Sequence, residues 1–383
     1  MNTVNYIPNI PHTLEAFAIA EMYNKGLINS AIYITNQEDS LYQLSSIFQF
    51  YIPNLKIIVV PAWNLIPYKK NSPNNLIMAE RIKSLYSLTH THNNTTTPYI
   101  IITTTNAVIQ KVLPRNIISQ IVFKITAQEN LPIHYIKNYL ITHGYTQYST
   151  IQDIGEFCVN NNTIDIFPIT YPNPIRIYLN NDHVESIKTF DCKTQLIHTD
   201  SSINEIFIYP TSEIIKQQKN IEQFLKIYKT KANQDKHLLN TIVSKKKYIG
   251  EENFLPLFYE EELENIFNYI QDIQLIFSNK IIDQISQYNN KLRSNYKNSL
   301  YYQVAPDQLY ITLENFYSIT KQLKKIIFLT VDELNDVNID IQNPQCNVTK
   351  IKKIPNFKAL AVQEQTDVFE IFAQYIKNQH HTY

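Results

Sequence analysis

Residues 155–191, GEFCVNNNTIDIFPITYPNPIRIYLNNDHVESIKTFD, are the most strongly patterned stretch of the chain. Ile164 and Ile166, then Ile175, Ile177 and Leu179, recur at period two, the spacing of strands with one buried face. Asn160 to Asn162, Pro172 to Pro174 and Asn180 to Asp182 break the runs where turn formers belong. The reading is a series of antiparallel hairpins.

Upstream of the hairpins, a short strand around Ile121 to Ile125 and a helix from Leu131 to His143 complete a small α+β unit. Gly144 follows that helix as a left-handed C-cap. Further back the pattern changes. Leu14 to Lys25 reads as a helix ended by Gly26, Ala31 to Thr35 as a strand, and Ser40 to Phe50 as a helix. Leu55 to Val60 then reads as a strand, Leu76 to Leu88 as a helix and Tyr99 to Thr103 as a strand. Strands alternating with helices imply a parallel α/β sheet. Downstream, helical character runs from Pro210 to about Asn240, returns from Glu260 to Ile270, and continues in a polar helix from Ile281 to about Asn298. After about Asp340 another strand begins.

Composition limits the function classes. The 383 residues are 44% hydrophobic and 18% charged, enough for two or three domains with real cores. Lys+Arg 34 balances Asp+Glu 34, so any binding of nucleic acid has to be local. Three separated cysteines and the absence of a membrane-length apolar run point to a cytoplasmic protein. The histidines fall at no metal-ligand spacing. With four glycines in the chain there is no GxxxxGK[ST] and no GxGxxG, and no cofactor is expected. Asn24 to Ser30, NKGLINS, taken as the link between the first helix and the first strand, has no lysine followed by Ser or Thr. Asp165, among apolar strand residues, is read as accepting backbone hydrogen bonds, and Glu260 to Glu264 as an acidic helix start. Lys245, Lys246 and Lys247 form the only basic triplet, read as a solvated loop.

Several blocks in order resemble the UvrB-homology region of the bacterial transcription-repair coupling factors (Mfd). They are the Gly-Glu-Phe start of the hairpins, Ile-Asp-Ile-Phe-Pro, Pro-x-Arg-Ile, and the Glu-Ser-Ile-Lys-x-Phe-Asp close. PAWNLIPYKKNSP at Pro61 to Pro73, with Arg81, Leu85 and Leu88 after it, continues the likeness. So do Thr103 to Ala107, NFLPLFY at Asn253 to Tyr259, IFNYI at Ile266 to Ile270 and QLYITLENFY at Gln308 to Tyr317. Trp63, Pro67 and Tyr68 are read as a packed loop that closes the sheet.

The resemblance implies a degenerate P-loop-type, helicase-like parallel lobe without a Walker A motif, carrying an inserted α+β domain. Its boundaries would be 1–121 and 211–340 for the lobe, 122–210 for the insertion, and 341–383 for the start of a further domain. It implies that the insertion docks on UvrA, that the chain is not an enzyme, and that RNA polymerase and DNA are engaged only by domains absent here. No membrane partner is implied. An ATP-dependent translocase and a remnant without function are the alternatives.

Three docking positions carry over from the family's motif. The first, an arginine followed by glycine, is Asn160 followed by Asn161. The second is Arg176. The third, an aromatic residue in the family, is Asn180. For Arg176 two readings stand: a docking contact, or a strand arginine paired across the turn with Asp182 or Glu185.

Overall fold

The structure, a computed structural model, describes residues 4–329 except 9–11, 37, 92–97 and 272, together with 360, 366–371, 373 and 377. The strand expected after Asp340 lies outside the described residues, as does most of the segment 341–383. The chain begins with β1 (Val4–Pro8), α1 (His12–Asn24), β2 (Ala31–Thr35), α2 (Leu41–Tyr51), β3 (Lys56–Val60), α3 (Asn75–Thr91) and β4 (Tyr99–Thr104). Two short helices follow, α4 (Thr105–Ile109) and α5 (Arg115–Ile121). Then come β5 (Phe123–Thr126), α6 (Ile133–Thr142), β6 (Thr146–Gln147), β7 (Glu156–Val159), β8 (Thr163–Ile166), β9 (Ile175–Asn180), β10 (His183–Phe190), β11 (Ile197–Ile203) and β12 (Glu205–Ile208). Helices α7 (Gln218–Tyr228) and α8 (Lys236–Val243) lead back to β13 (Gln274–Ser278), α9 (Lys280–Lys297), α10 (Pro306–Leu309), α11 (Leu313–Thr320) and β14 (Lys325–Leu329).

Six strands form an all-parallel sheet in the order β1-β14-β13-β2-β4-β3. Its inner strands β2, β4 and β13 carry continuous apolar runs, with no alternation, because helices cover both faces. Ala31, Tyr33, Ile100 and Ile102 face Ala16, Ile19 and Phe48 of α1 and α2. Ile32, Ile34 and Ile101 face Met78, Ile82 and Leu85 of α3 and Ile281 of α9. The last two strands in sequence, β13 and β14, fill the gap between β1 and β2, so the sheet closes only when the chain returns from the hairpin region.

Two expectations are corrected here. Among the described residues the strand VNYIP precedes α1, so NKGLINS joins α1 to the second strand and not to the first. A five-residue edge strand ending in proline has too little periodicity to announce itself. Residues 260–270 hold a 3-10 turn at Ile266–Tyr269 and no α-helix. Glu264 instead exchanges backbone hydrogen bonds with Val112, at 2.9 and 2.8 Å, so the acidic run is a loop pinned to the body.

The hairpins form a second six-stranded sheet, β11-β10-β9-β8-β7-β6, antiparallel except for the β6–β7 pair. Its inner face is the period-two set Ile164, Ile166, Ile175, Ile177 and Leu179, packed with Phe157 and Ile187 around Ile136 and Leu140 of α6. Each fully buried isoleucine contributes about 1.5–3 kcal/mol. Strands β5 and β12 pair antiparallel and close the same core through Ile125, Ile206 and Ile208. Gly144 caps α6 at φ +92°, and a Cβ there would lie 2.0 Å from Thr211 Oγ1, so both conformation and space demand glycine.

Candidate functional site

The outer face of the antiparallel sheet carries the predicted positions. Pairing register sets Cys158, Asp165, Arg176 and Lys188 side by side across β7, β8, β9 and β10. Along β9, the alternation that buries Ile175, Ile177 and Leu179 turns Arg176, Tyr178 and Asn180 outward. Arg176 is directly opposite Asp165, and its guanidinium meets that carboxylate with two bonds, Nε to Oδ1 at 2.7 Å and Nη2 to Oδ2 at 2.8 Å. Nη2 also donates to Gln195 Oε1 at 3.1 Å, and the guanidinium lies 4.5 Å from the centre of the buried Phe190 ring. The charge-assisted bonds to Asp165 push the guanidinium pKa still higher than usual.

Both earlier readings of this row are therefore corrected. Arg176 pairs with neither Asp182 nor Glu185, because the residue opposite it on β10 is Lys188 and the carboxylate in register stands on β8. Asp165 accepts a guanidinium fork instead of backbone amides. A two-pronged Arg–carboxylate pair at 19% and 7% side-chain exposure is a fixed element of the sheet. It leaves little of the arginine free for a partner.

Asn160 and Asn180 lie where the face is open. Asn160 follows β7 directly and closes its turn by donating its N–H to Thr163 O at 2.9 Å. Asn180 is exposed and pairs with His183 across a two-residue turn in which Asn181 and Asp182 take φ of 48° and 64°. The Leu179 N–H donates to Asn162 O at 2.8 Å, tying the tip after β7 to the end of β9. Asn160, Tyr178 and Asn180 thus share one rim. The opposite end of the face is closed by Ile151, Cys158 and Phe190.

Residues 123–214, which contain α6 and the strands from β5 to β12, match the family described as the UvrB interaction domain. Over 97% of its length the chain is 28% identical to the transcription-repair-coupling factor of Rickettsia conorii, covering 32% of that protein. It is 33% identical to that of Borreliella burgdorferi over 63% of this chain and 21% of the relative. To that of Escherichia coli it is 23% identical over 54% of this chain and 18% of the relative. The chain is a homologue of the transcription-repair-coupling factors. It spans about a third of the length of the curated Rickettsia relatives.

In this coupling-factor homologue a second constellation holds the hairpin region to the parallel sheet. Arg81 on α3 belongs to the family-like blocks of the sequence, whereas its partner Glu213 stands in none of them. Arg81 Nε lies 2.8 Å from Glu213 Oε1, both side chains being fully buried. Nη1 donates to Pro61 O at 2.9 Å, and Trp63 Nε1 donates to the same Glu213 oxygen at 3.3 Å. Burial pushes the Glu213 carboxyl up, while Arg81 and the Trp63 indole pull it down. The signal available in sequence was a lone acid beside Ile214 and Ile215, and a lone arginine within the apolar stripe Met78, Ile82, Leu85. Trp63 and Tyr68 are buried in the main core, as a packed loop requires.

Glu252 is a further buried carboxylate. Ser72 Oγ donates to Glu252 at 2.7 Å, and burial pushes the Glu252 pKa up to about 7. A carboxyl whose pKa is raised on folding favours the folded state below its unfolded value of about 4.3, and that advantage fades as pH rises through 7. Glu252→Gln is therefore expected to stabilise the chain by on the order of 1–3 kcal/mol at pH 8 and by little at pH 5. Urea denaturation at the two pH values measures this, and equal effects at both would contradict it.

Among the described residues no cluster of His, Cys, Asp or Glu could hold a metal ion, and no helix is long and apolar enough to cross a membrane.

Proposed function

We propose that the chain is a UvrA-docking module that acts in transcription-coupled nucleotide excision repair by protein contact, without catalysis of its own. One observation carries the reading: the segment matching the UvrB interaction domain, 123–214, builds a sheet whose rim exposes Asn160 and Asn180 beside a half-buried Tyr178. The relatives, named transcription-repair-coupling factors, supply the context. On this reading residues 122–210 are an insertion in a lobe formed by 1–121 and 211–340. That lobe descends from a P-loop-type fold, and the sequence between β1 and α1, Pro8 to His12, has neither glycine nor lysine. The resemblance assigns RNA polymerase and DNA to parts of the relatives beyond those matched here.

The rim differs from the family pattern by asparagines where an arginine and an aromatic residue are expected. Both types are strong interface anchors, so affinity for UvrA is expected to be lower than in relatives that keep them. The test adds charge at the rim without touching the Arg176–Asp165 pair. Asn160→Glu with Asn180→Glu should weaken binding of UvrA from the same source at least tenfold and leave thermal unfolding unchanged. Affinity unaltered in a folded double variant would remove the rim from the proposal, and no binding by the parent chain would remove the proposal itself.

A further inference from the structure

The charge balance of the whole chain hides a strong local imbalance. Residues 211–250 hold nine lysines against three acids, Glu213, Glu222 and Asp235. Two of those acids are occupied: Glu213 pairs with Arg81, and Asp235 accepts from the Tyr248 hydroxyl at 2.8 Å. The fold adds to the surplus. Ser72 accepts from Gly250 N–H at 2.9 Å and donates to Glu252, which brings exposed Lys69 and Lys70 beside exposed Lys245, Lys246 and Lys247. Lys247 Nζ reaches Asn75 at 2.8 Å, and Lys216 Nζ donates to Lys246 O at 2.5 Å and Glu251 at 2.9 Å. Of the carboxylates among these loops, Glu251 and Glu252 are buried and Asp235 is half-buried beneath Tyr248, so the five exposed lysines, Lys69, Lys70, Lys245, Lys246 and Lys247, leave the surface there positive.

These lysines border a groove of about 340 Å³ between the basic loop and the C-terminal end of α6. Lys216, Lys245 and Lys247 line it together with Thr146, Ser212 and Glu251, whose carboxylate is held by Lys216, so Lys245 and Lys247 are the lining ammonium groups left for a ligand. Tyr145 and Ile214, which back it, are buried, and Ile141 at its edge is the one large apolar side chain it exposes, too little for a pocket that anchors a partner's side chain.

We infer that this groove and the lysines around it hold the phosphodiester backbone of DNA, at a surface separate from the rim of the antiparallel sheet. Ammonium groups spread along a path, with hydroxyl donors between them, suit a chain of phosphates better than one acidic side chain. The contact is blind to base sequence, since the lining presents phosphate-type donors and no stacking platform. Four lysines on phosphates make the affinity fall about a hundredfold between 50 and 200 mM salt.

The experiment measures fluorescence anisotropy of a labelled 30-base-pair duplex with the full chain and no UvrA, across that salt range. Lys245→Gln, Lys246→Gln and Lys247→Gln are combined in one variant, whose unchanged thermal unfolding shows that the exposed loop was altered without loss of fold. The expected result is salt-dependent binding by the parent chain and a salt slope reduced by about 2 to 3 in the variant. No binding at 50 mM, binding that the variant retains in full, or preference for polyglutamate over the duplex overturns the inference. The last outcome would assign the surface to an acidic protein.

Discussion

Glu213→Ala is expected to destabilise the chain by about 3–5 kcal/mol, the usual cost of removing one partner from a buried ion pair. Two groups lose their acceptor at once. The Arg81 guanidinium would keep its bond to Pro61 O but stay charged in a site with no solvent access, and the Trp63 indole N–H would lose its partner. Few single substitutions should cost more, because Glu213 stands where the chain re-enters the parallel sheet's core after β12. Urea denaturation of the single variant gives the loss, and a double-mutant cycle with Arg81→Met apportions it. The paired replacement should cost much less than Glu213→Ala alone, since two apolar side chains leave no orphaned charge. A loss under about 1 kcal/mol for Glu213→Ala would mean the pair is not the junction described here.

Arg176→Ala is expected to cost about 2–4 kcal/mol of stability before any partner is considered. It strands Asp165, which is 5% exposed, and removes the guanidinium from the face of Phe190. The effect should be felt first in the hairpin region, since Asp165 and its neighbours on β8 and β9 form the centre of that sheet. Asp165→Asn should cost less, because the amide can still accept one of the two bonds. This bears on the docking proposal. A fall in UvrA affinity on Arg176→Ala near the melting temperature would report unfolding, whereas the same measurement in the cold reports the interface. Under cold conditions Arg176→Ala should weaken UvrA binding less than the rim pair Asn160→Glu with Asn180→Glu. The reverse order would place the arginine itself in the contact.

Much of the fold could be read from local pattern. The limits of β2 follow from a short continuous apolar run, and those of the hairpin strands and α9 from periodicities of two and 3.6 residues, all of which depend only on neighbours in the chain. The glycine cap after α6 and the breaks between hairpins are likewise local, since φ > 0 and missing N–H groups are properties of single residues. The family likeness rested on short blocks such as IDIFP and PIRI, and the relatives support it. Where a run was short and bounded by proline, as in VNYIP, or dense in charge, as in Glu260 to Glu264, local pattern misled.

The order β1-β14-β13-β2-β4-β3, the pairing of Arg176 with Asp165, the burial of Glu213 against Arg81 and the gathering of lysines from three loops were beyond such reading. Each joins residues far apart in the chain whose own surroundings leave several partners open. Arg176 had carboxylates available on both sides in sequence, and the choice fell to strand register, which is set by how the whole apolar face of the sheet seats on α6. Local composition names the groups that need partners; the partners are chosen by the packing that brings distant strands and loops together.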